Sequence, residues 1–296
     1  MPGLHSSSLL TAALLTLTAC SSFPRRLTYG AMQSDAMQRE MAYAVYTPPG
    51  FSPDEQLPLV VFLHGGGDDE TCFDRAGVGQ TIDLALARGA APRCVIVVPD
   101  GELGFWENWH DGSRRYRDWV MQDLLPEVRR RYHTRTDRDG THVMGISMGG
   151  HGTLRFARFE HETFSSAAAV SAPVMDAEHL VEFTSSLFVR LFIPVARIWG
   201  ATDDLEKVRR DDLFALWQRQ EDLQGVRVLF SHGSADRGDI MLGNSRFHEV
   251  LAQRGIAHHY FVYYGRHKWV DWRPIFPELL RALIEGDEHI PEPRAR

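Results

Sequence analysis

HVMGISMGGHGTLRF, residues 142–156, is the stretch on which the fold turns. His142-Val143-Met144 has strand character, and Gly152-Thr153-Leu154-Arg155-Phe156 has the look of a helix. Between them Gly145-Ile146-Ser147-Met148-Gly149 matches G-x-S-x-G, a strand-to-helix turn sharp enough to lift a serine hydroxyl above a sheet. Glycine is required on either side of the serine because a Cβ there would collide with the neighbouring strand and helix. This setting implies that Ser147 is a nucleophile. It also implies that the N–H of Met148, the next residue, donates to an oxyanion.

Outward from the turn, short β-rich runs alternate with amphipathic ones. The sequence predicts strands at 42–47, 59–63, 95–98, 142–145, 167–171, 227–231 and 259–264. Leu59–Leu63 and Val95–Val98 are unbroken apolar runs, as strands buried on both faces of a parallel sheet should be. Helical patterns over 81–88, 116–132, 148–158, 245–254 and 277–284 separate them. The alternation predicts an α/β protein with a mostly parallel central sheet and helices on both faces. In such sheets ligands bind beyond the carboxyl ends of the strands. About fifty residues, 174–225, interrupt the rhythm and are read as a helical cap-like insertion or as packing against the core. Within them Leu187–Val195 is apolar on all sides.

Two further signals sit just after predicted strands. His64-Gly65-Gly66-Gly67 follows Leu63 and has the form of a glycine loop that aims backbone N–H groups at a developing oxyanion. His64 itself is expected to be structural. A serine hydroxyl also needs a base and an orienting acid, which follow it in the order Ser, Asp, His on this kind of sheet. His267, in the loop after the last strand, is the candidate base. Asp236, in His232-Gly233-Ser234-Ala235-Asp236 after the preceding strand, is the candidate acid, with Asp239 the runner-up.

Composition closes off other classes. The chain has 296 residues, 32 basic against 39 acidic, and a net charge of −7 without a long basic run. A nucleic-acid footprint is therefore not expected. Three cysteines are too few for a disulfide scaffold and badly spaced for zinc. Cys72 and Cys94 suit a disulfide in an oxidising compartment or two buried thiols equally well. Residues 1–20 carry no Asp, Glu, Lys or Arg, and 9–17 are apolar apart from threonines. This reads as a signal peptide, although the n-region lacks the usual positive side chains. Leu17-Thr18-Ala19-Cys20 resembles the lipobox of bacterial lipoproteins, which implies acylation of Cys20 and a membrane anchor. The expected location is the cell envelope, as an anchored lipoprotein or otherwise as a periplasmic or secreted protein. The expected divisions are 1–20 signal peptide, 21–40 tether and N-terminal segment, 41–286 catalytic domain with 174–225 as its cap-like part, and 287–296 flexible tail.

Taken together, the ordered motifs resemble the esterase family of α/β-hydrolases that includes esterase D, feruloyl esterases, siderophore esterases and mycolyl-transferring antigens. The resemblance runs from about Tyr43 to Ile284. It rests on Leu63–Gly67, Gly145–Gly152, Phe164–Ala167, His232–Asp236 and Gly265-Arg266-His267-Lys268-Trp269. It implies the α/β-hydrolase fold, a Ser147–His267–Asp236 triad, Gly66 as the second oxyanion donor, and no metal or organic cofactor. The implied substrate is a small-molecule ester, hydrolysed through an acyl-enzyme. Transfer of the acyl group to another alcohol on the same triad, or a non-catalytic envelope-binding role, are the alternatives. Trp106, Trp109 and Trp269 are the candidate walls of a substrate pocket, though such aromatics suit a core equally well.

Overall fold

The structure is a computed structural model that describes residues 27–200 and 212–286. The expected signal peptide with Cys20, residues 21–26 of the tether, residues 201–211 of the cap-like segment and the tail 287–296 lie outside the described residues. Eight strands form one sheet in the order β1-β2-β4-β3-β5-β6-β7-β8. They are β1 Leu27–Ser34, β2 Arg39–Tyr46, β3 Leu59–Leu63, β4 Val95–Pro99, β5 Thr141–Ile146, β6 Ser166–Val170, β7 Arg227–Gly233 and β8 His259–Tyr263. β1 and β2 form an antiparallel hairpin that joins β4 antiparallel. From β4 across to β8 every pair is parallel. Parallel pairing puts the carboxyl ends of β3 to β8 on one edge of the sheet.

Alternate residues divide between two cores, as the period of two along a strand requires. Leu59, Val61, Leu63, Val95, Val97 and Val143 face one core, which also holds Trp119, Leu125, Leu154, Phe156 and Phe247. Val60, Phe62, Ile96, Val98, Met144 and Ile146 face the other, with Phe73, Ile82, Phe276 and Leu280. Helices Met148–Phe159 and Gly238–Gln253 thus cover one face, and helices Val78–Leu86 and Phe276–Glu285 the other. The predicted helix over 116–132 is one continuous run, but its middle, Trp119–Leu124, is wound with π spacing. Cys72 and Cys94 are buried free thiols in the second core.

One expectation needs correction. Residues 27–40, assigned to a tether and N-terminal segment, contain β1 and the turn into β2. β1 is an edge strand whose residues are mostly solvent-facing, so it lacks the apolar run that betrays β3 and β4. The described part of the cap-like segment is helical, at Ala177–Ser185, Leu187–Phe192, Val195–Ile198 and Leu213–Leu216. Its apolar run is not enclosed, however. Leu187, Phe188, Leu191 and Phe192 are each more than 60% exposed, and only the Val195 end is buried.

The buried ring of His142 has a measurable consequence. It lies within β5, and its Nδ1–H donates to Ser166 Oγ at 2.8 Å, because that hydroxyl gives its own proton to Leu283 O. Burial, aided by the Arg227 charge, pushes its pKa down to about 3. Below the ordinary histidine range of about 6.5 the unfolded chain binds a proton that the folded chain refuses. This part of the stability is present above pH 6.5 and is lost as the pH falls toward 3. Urea unfolding between pH 6.5 and 5 should show a slope that His142→Gln reduces by up to about 1.4 kcal/mol per pH unit; equal slopes would contradict the assignment.

Candidate active site

Each chemistry-bearing residue hangs from the carboxyl end of a strand. Ser147 follows β5 directly, with φ 51 and ψ −121, a conformation rarely adopted by a residue with a Cβ. It is held there by Ser147 N–H donating to Val170 O at 2.9 Å and by the helix that begins at Met148. The flanking glycines are needed for space. A Cβ on Gly149 would lie 1.9 Å from Leu63 O, and one on Gly145 would lie 2.4 Å from Gly149 O.

Ser147 Oγ donates to His267 Nε2 at 2.8 Å, and His267 Nδ1–H donates to Asp236 Oδ1 at 2.8 Å. Ser147 is partly exposed, whereas the Asp236 carboxylate is buried. Burial by itself would raise the Asp236 pKa. Hydrogen bonds from His267, from Ser171 Oγ and from the Arg237 N–H outweigh it and hold the carboxyl below its usual range. An ionised Asp236 accepts only, so the imidazole proton is fixed on Nδ1 and Nε2 is free to take the serine proton. Asp239 instead pairs with Arg237 at the surface, at 2.7 Å, away from His267.

The first glycine loop lies against the turn. A Cβ on Gly65 would be 3.3 Å from Ser147 Cβ, and one on Gly66 would be 3.9 Å from Met148 Cβ. Met148 opens a twelve-residue helix, whose first N–H groups have no partner within the helix and whose dipole favours negative charge. His64 is fully buried below this loop. Its Nδ1–H faces Gly65 O at 2.8 Å, and its Nε2 accepts from the Gly101 N–H at 2.9 Å. That is the structural role expected of it.

The three tryptophans separate. Trp106 is 1% exposed, stands edge-on to His64, and donates its indole N–H to His64 O at 3.2 Å. It buttresses the glycine loop from below and is not an open wall beside Ser147. Trp269 donates Nε1–H to Asp68 Oδ2 at 2.9 Å, tying the His267 loop to the residue just after the glycine loop. Trp109 is partly buried under the Arg197 guanidinium, 4.9 Å from its ring centre, where the cap-like segment docks. Phe105 completes that contact, 4.8 Å from Trp199 and 6.2 Å from Phe183. A cavity of about 240 Å³ behind the turn helix is lined by Trp106, Glu107, Arg117, Arg155 and Trp199 among others, but neither Ser147 nor His267 lines it. Ser171 and Tyr263, which lie behind Asp236 with Trp272, carry no motif and escaped the sequence reading.

This architecture is the α/β-hydrolase fold, and the sequence comparisons name the family within it. The model of the family described as "Putative esterase" matches residues 34–283. The chain belongs to that esterase family. An esterase of Mycobacterium tuberculosis is 26% identical over 282 residues, covering 88% of this chain and 58% of the relative. The iron(III) salmochelin esterase of Escherichia coli is 28% identical over 256 residues, covering 80% of this chain and 51% of the relative. The chain therefore spans a little over half the length of these relatives. Among solved structures, a ferulic acid esterase superposes with TM-score 0.72 at 20% identity, over 88% of this chain and 97% of that one. The S-formylglutathione hydrolase of Agrobacterium tumefaciens superposes at 0.68 and 21% identity, over 88% and 94%. At such identities the superpositions show the shared fold.

Gly149 offers a direct test of the turn. Its hypothetical Cβ meets backbone atoms of Leu63 and His64, which cannot rotate aside. Gly149→Ala should lower the unfolding free energy by about 3 kcal/mol or more. Urea denaturation of the variant checks this, and near-wild-type stability would refute the packing account.

Proposed function

We propose that the chain is an exported serine esterase that hydrolyses carboxylic esters through an acyl-enzyme. The observation that carries this is the continuous hydrogen-bonded line from Ser147 Oγ through His267 to Asp236 beside a glycine loop. Membership of the esterase family supports it.

In the proposed mechanism His267 Nε2 takes the Ser147 proton as Oγ attacks the ester carbonyl. Negative charge moves onto the carbonyl oxygen, where the N–H groups of Gly66 and Met148 receive it. Such a donor typically contributes about 2.7–4 kcal/mol to the transition state. Collapse expels the alcohol, which takes its proton from His267. Water, deprotonated by the same imidazole, then attacks the acyl-enzyme and releases the acid. Asp236 holds the imidazole in one tautomer and balances the imidazolium in both halves. The substrate is a small-molecule ester, the class to which the names of the salmochelin and ferulic acid esterases belong.

For export, the supporting observation is the apolar 9–17 run followed by Leu17-Thr18-Ala19-Cys20. β1 and β4 are each antiparallel to β2, so β1 enters the sheet at the end opposite Ser147.

In the full chain, a fluorophosphonate probe should label the wild type at Ser147. Ser147→Ala should abolish labelling and cut p-nitrophenyl ester turnover by about 10⁴- to 10⁶-fold. Undiminished hydrolysis by the variant would overturn the esterase reading. Labelling whose product appears only with an added alcohol acceptor would make the chain a transferase. For the anchor, cells fed labelled palmitate should lipidate the wild type and not Cys20→Ser; incorporation into both would refute acylation at Cys20.

A further inference from the structure

Asp236 is held from behind by a buried network that no motif announces. Ser171 follows β6 immediately and has φ 51, the left-handed region that a serine seldom occupies. It is fully buried, and its N–H donates to Ser231 O at 2.7 Å. Its Oγ has three partners: Asp236 Oδ2 at 2.5 Å, Tyr263 OH at 2.7 Å and Trp272 Nε1 at 3.1 Å. All three partner side chains are buried.

The proton positions follow from valence. A serine hydroxyl has one proton and two acceptor sites. Asp236 is ionised and can only accept, so the Ser171 proton points to Oδ2. Trp272 Nε1–H can only donate, so it fills one lone pair of Ser171 Oγ. Tyr263 must then donate to the other. Burial and the nearby Asp236 charge raise the Tyr263 pKa, so the phenol keeps the proton that this role needs. Two donors therefore polarise the hydroxyl that binds the carboxylate, and each strengthens the next bond in the chain.

We propose that Ser171 is a positioning residue for hydrolysis, its hydroxyl clamping Asp236 Oδ2 so that Oδ1 is left to face His267. Tyr263 and Trp272 set the direction of that hydroxyl. Trp272 also stands edge-on to the His267 ring at 4.9 Å, so one indole braces both the acid's clamp and the base. The left-handed backbone of Ser171 has a use in this frame, because it turns the chain at the end of β6 beside the strand that leads to Asp236. The inference rests on the esterase reading given above.

The test is Ser171→Gly in the full chain, since glycine accepts φ 51 without strain and takes away the hydroxyl together with its single Cβ. The kcat for a p-nitrophenyl ester should fall about 10- to 100-fold, short of the roughly 10⁴-fold loss that follows neutralising the aspartate of such a triad. KM should stay unchanged, because Ser171 is too deeply buried to touch substrate. Without its Ser171 donor the carboxylate presents more charge to His267 and favours the imidazolium. The acid limb of kcat/KM should therefore move to higher pH, a change that loosened packing alone would not produce. Tyr263→Phe removes one polarising donor and should shift the limb the same way by less. A folded Ser171→Gly with wild-type kcat and a superimposable pH profile would overturn the proposal. Should Ser171→Gly fail to fold, Tyr263→Phe decides, and a wild-type profile from it is equally fatal. Fluorophosphonate labelling keeps the two readings apart. A wild type unlabelled at Ser147 defeats the esterase assignment and this inference with it. A labelled wild type with an indifferent Ser171→Gly defeats the positioning role alone.

Discussion

The contact between Gly149 and the end of β3 governs the geometry of the site. The turn helix can begin only where its first residues press against Leu63 and His64, with no room for a side chain at Gly149. That pressure holds Ser147 at φ 51, a strained conformation which persists because the strand, the helix and the Val170 carbonyl all fix it. The same contact brings the helix N-terminus beside the glycine loop. Ser147, its electrostatic environment and the loop that faces it are thus set by a single packing constraint.

Parallel register does the rest. β5, β6, β7 and β8 lie side by side, with Ile146 opposite Val170, Val170 opposite Ser231 and Ser231 opposite Phe261. The residues that leave these strands next are therefore neighbours across the edge of the sheet, although Ser147 and His267 are 120 residues apart in the chain. Burying the Asp236 carboxylate is unfavourable in itself, and it is offset by His267, Ser171 and backbone N–H groups. Aromatic side chains act as braces around this edge. Trp106 supports the glycine loop, Trp269 ties it to the His267 loop, and Trp272 joins Ser171 to the His267 ring.

Much of this was legible in the chain. Leu59–Leu63 was found to the residue because a strand buried on both faces cannot hide its apolar run. The turn around Ser147 was legible because its glycines are obligatory. His267 and Asp236 were singled out because they follow strands, and the structure joins Ser147 to His267 and His267 to Asp236. β1 was not legible, since an exposed edge strand needs no apolar pattern. Trp106 could be read either way, because an aromatic residue in a loop reads the same whether it walls a cleft or supports a loop from beneath. Ser171 was invisible for a different reason: it closes a strand like many serines, and only its three partners set it apart.

What the sequence determined by itself was whatever depends on local sterics and periodicity. Strand and helix alternation, the order of Ser147, Asp236 and His267, and the glycines at the turns all belong there, because each is dictated by a residue's immediate neighbours. The tertiary structure decided which side of a loop each tryptophan faces, which oxygen of Asp236 meets His267, and which hydroxyl holds the other. Those outcomes depend on hydrogen bonds between segments tens to hundreds of residues apart, and their partners are chosen by the packing of the sheet.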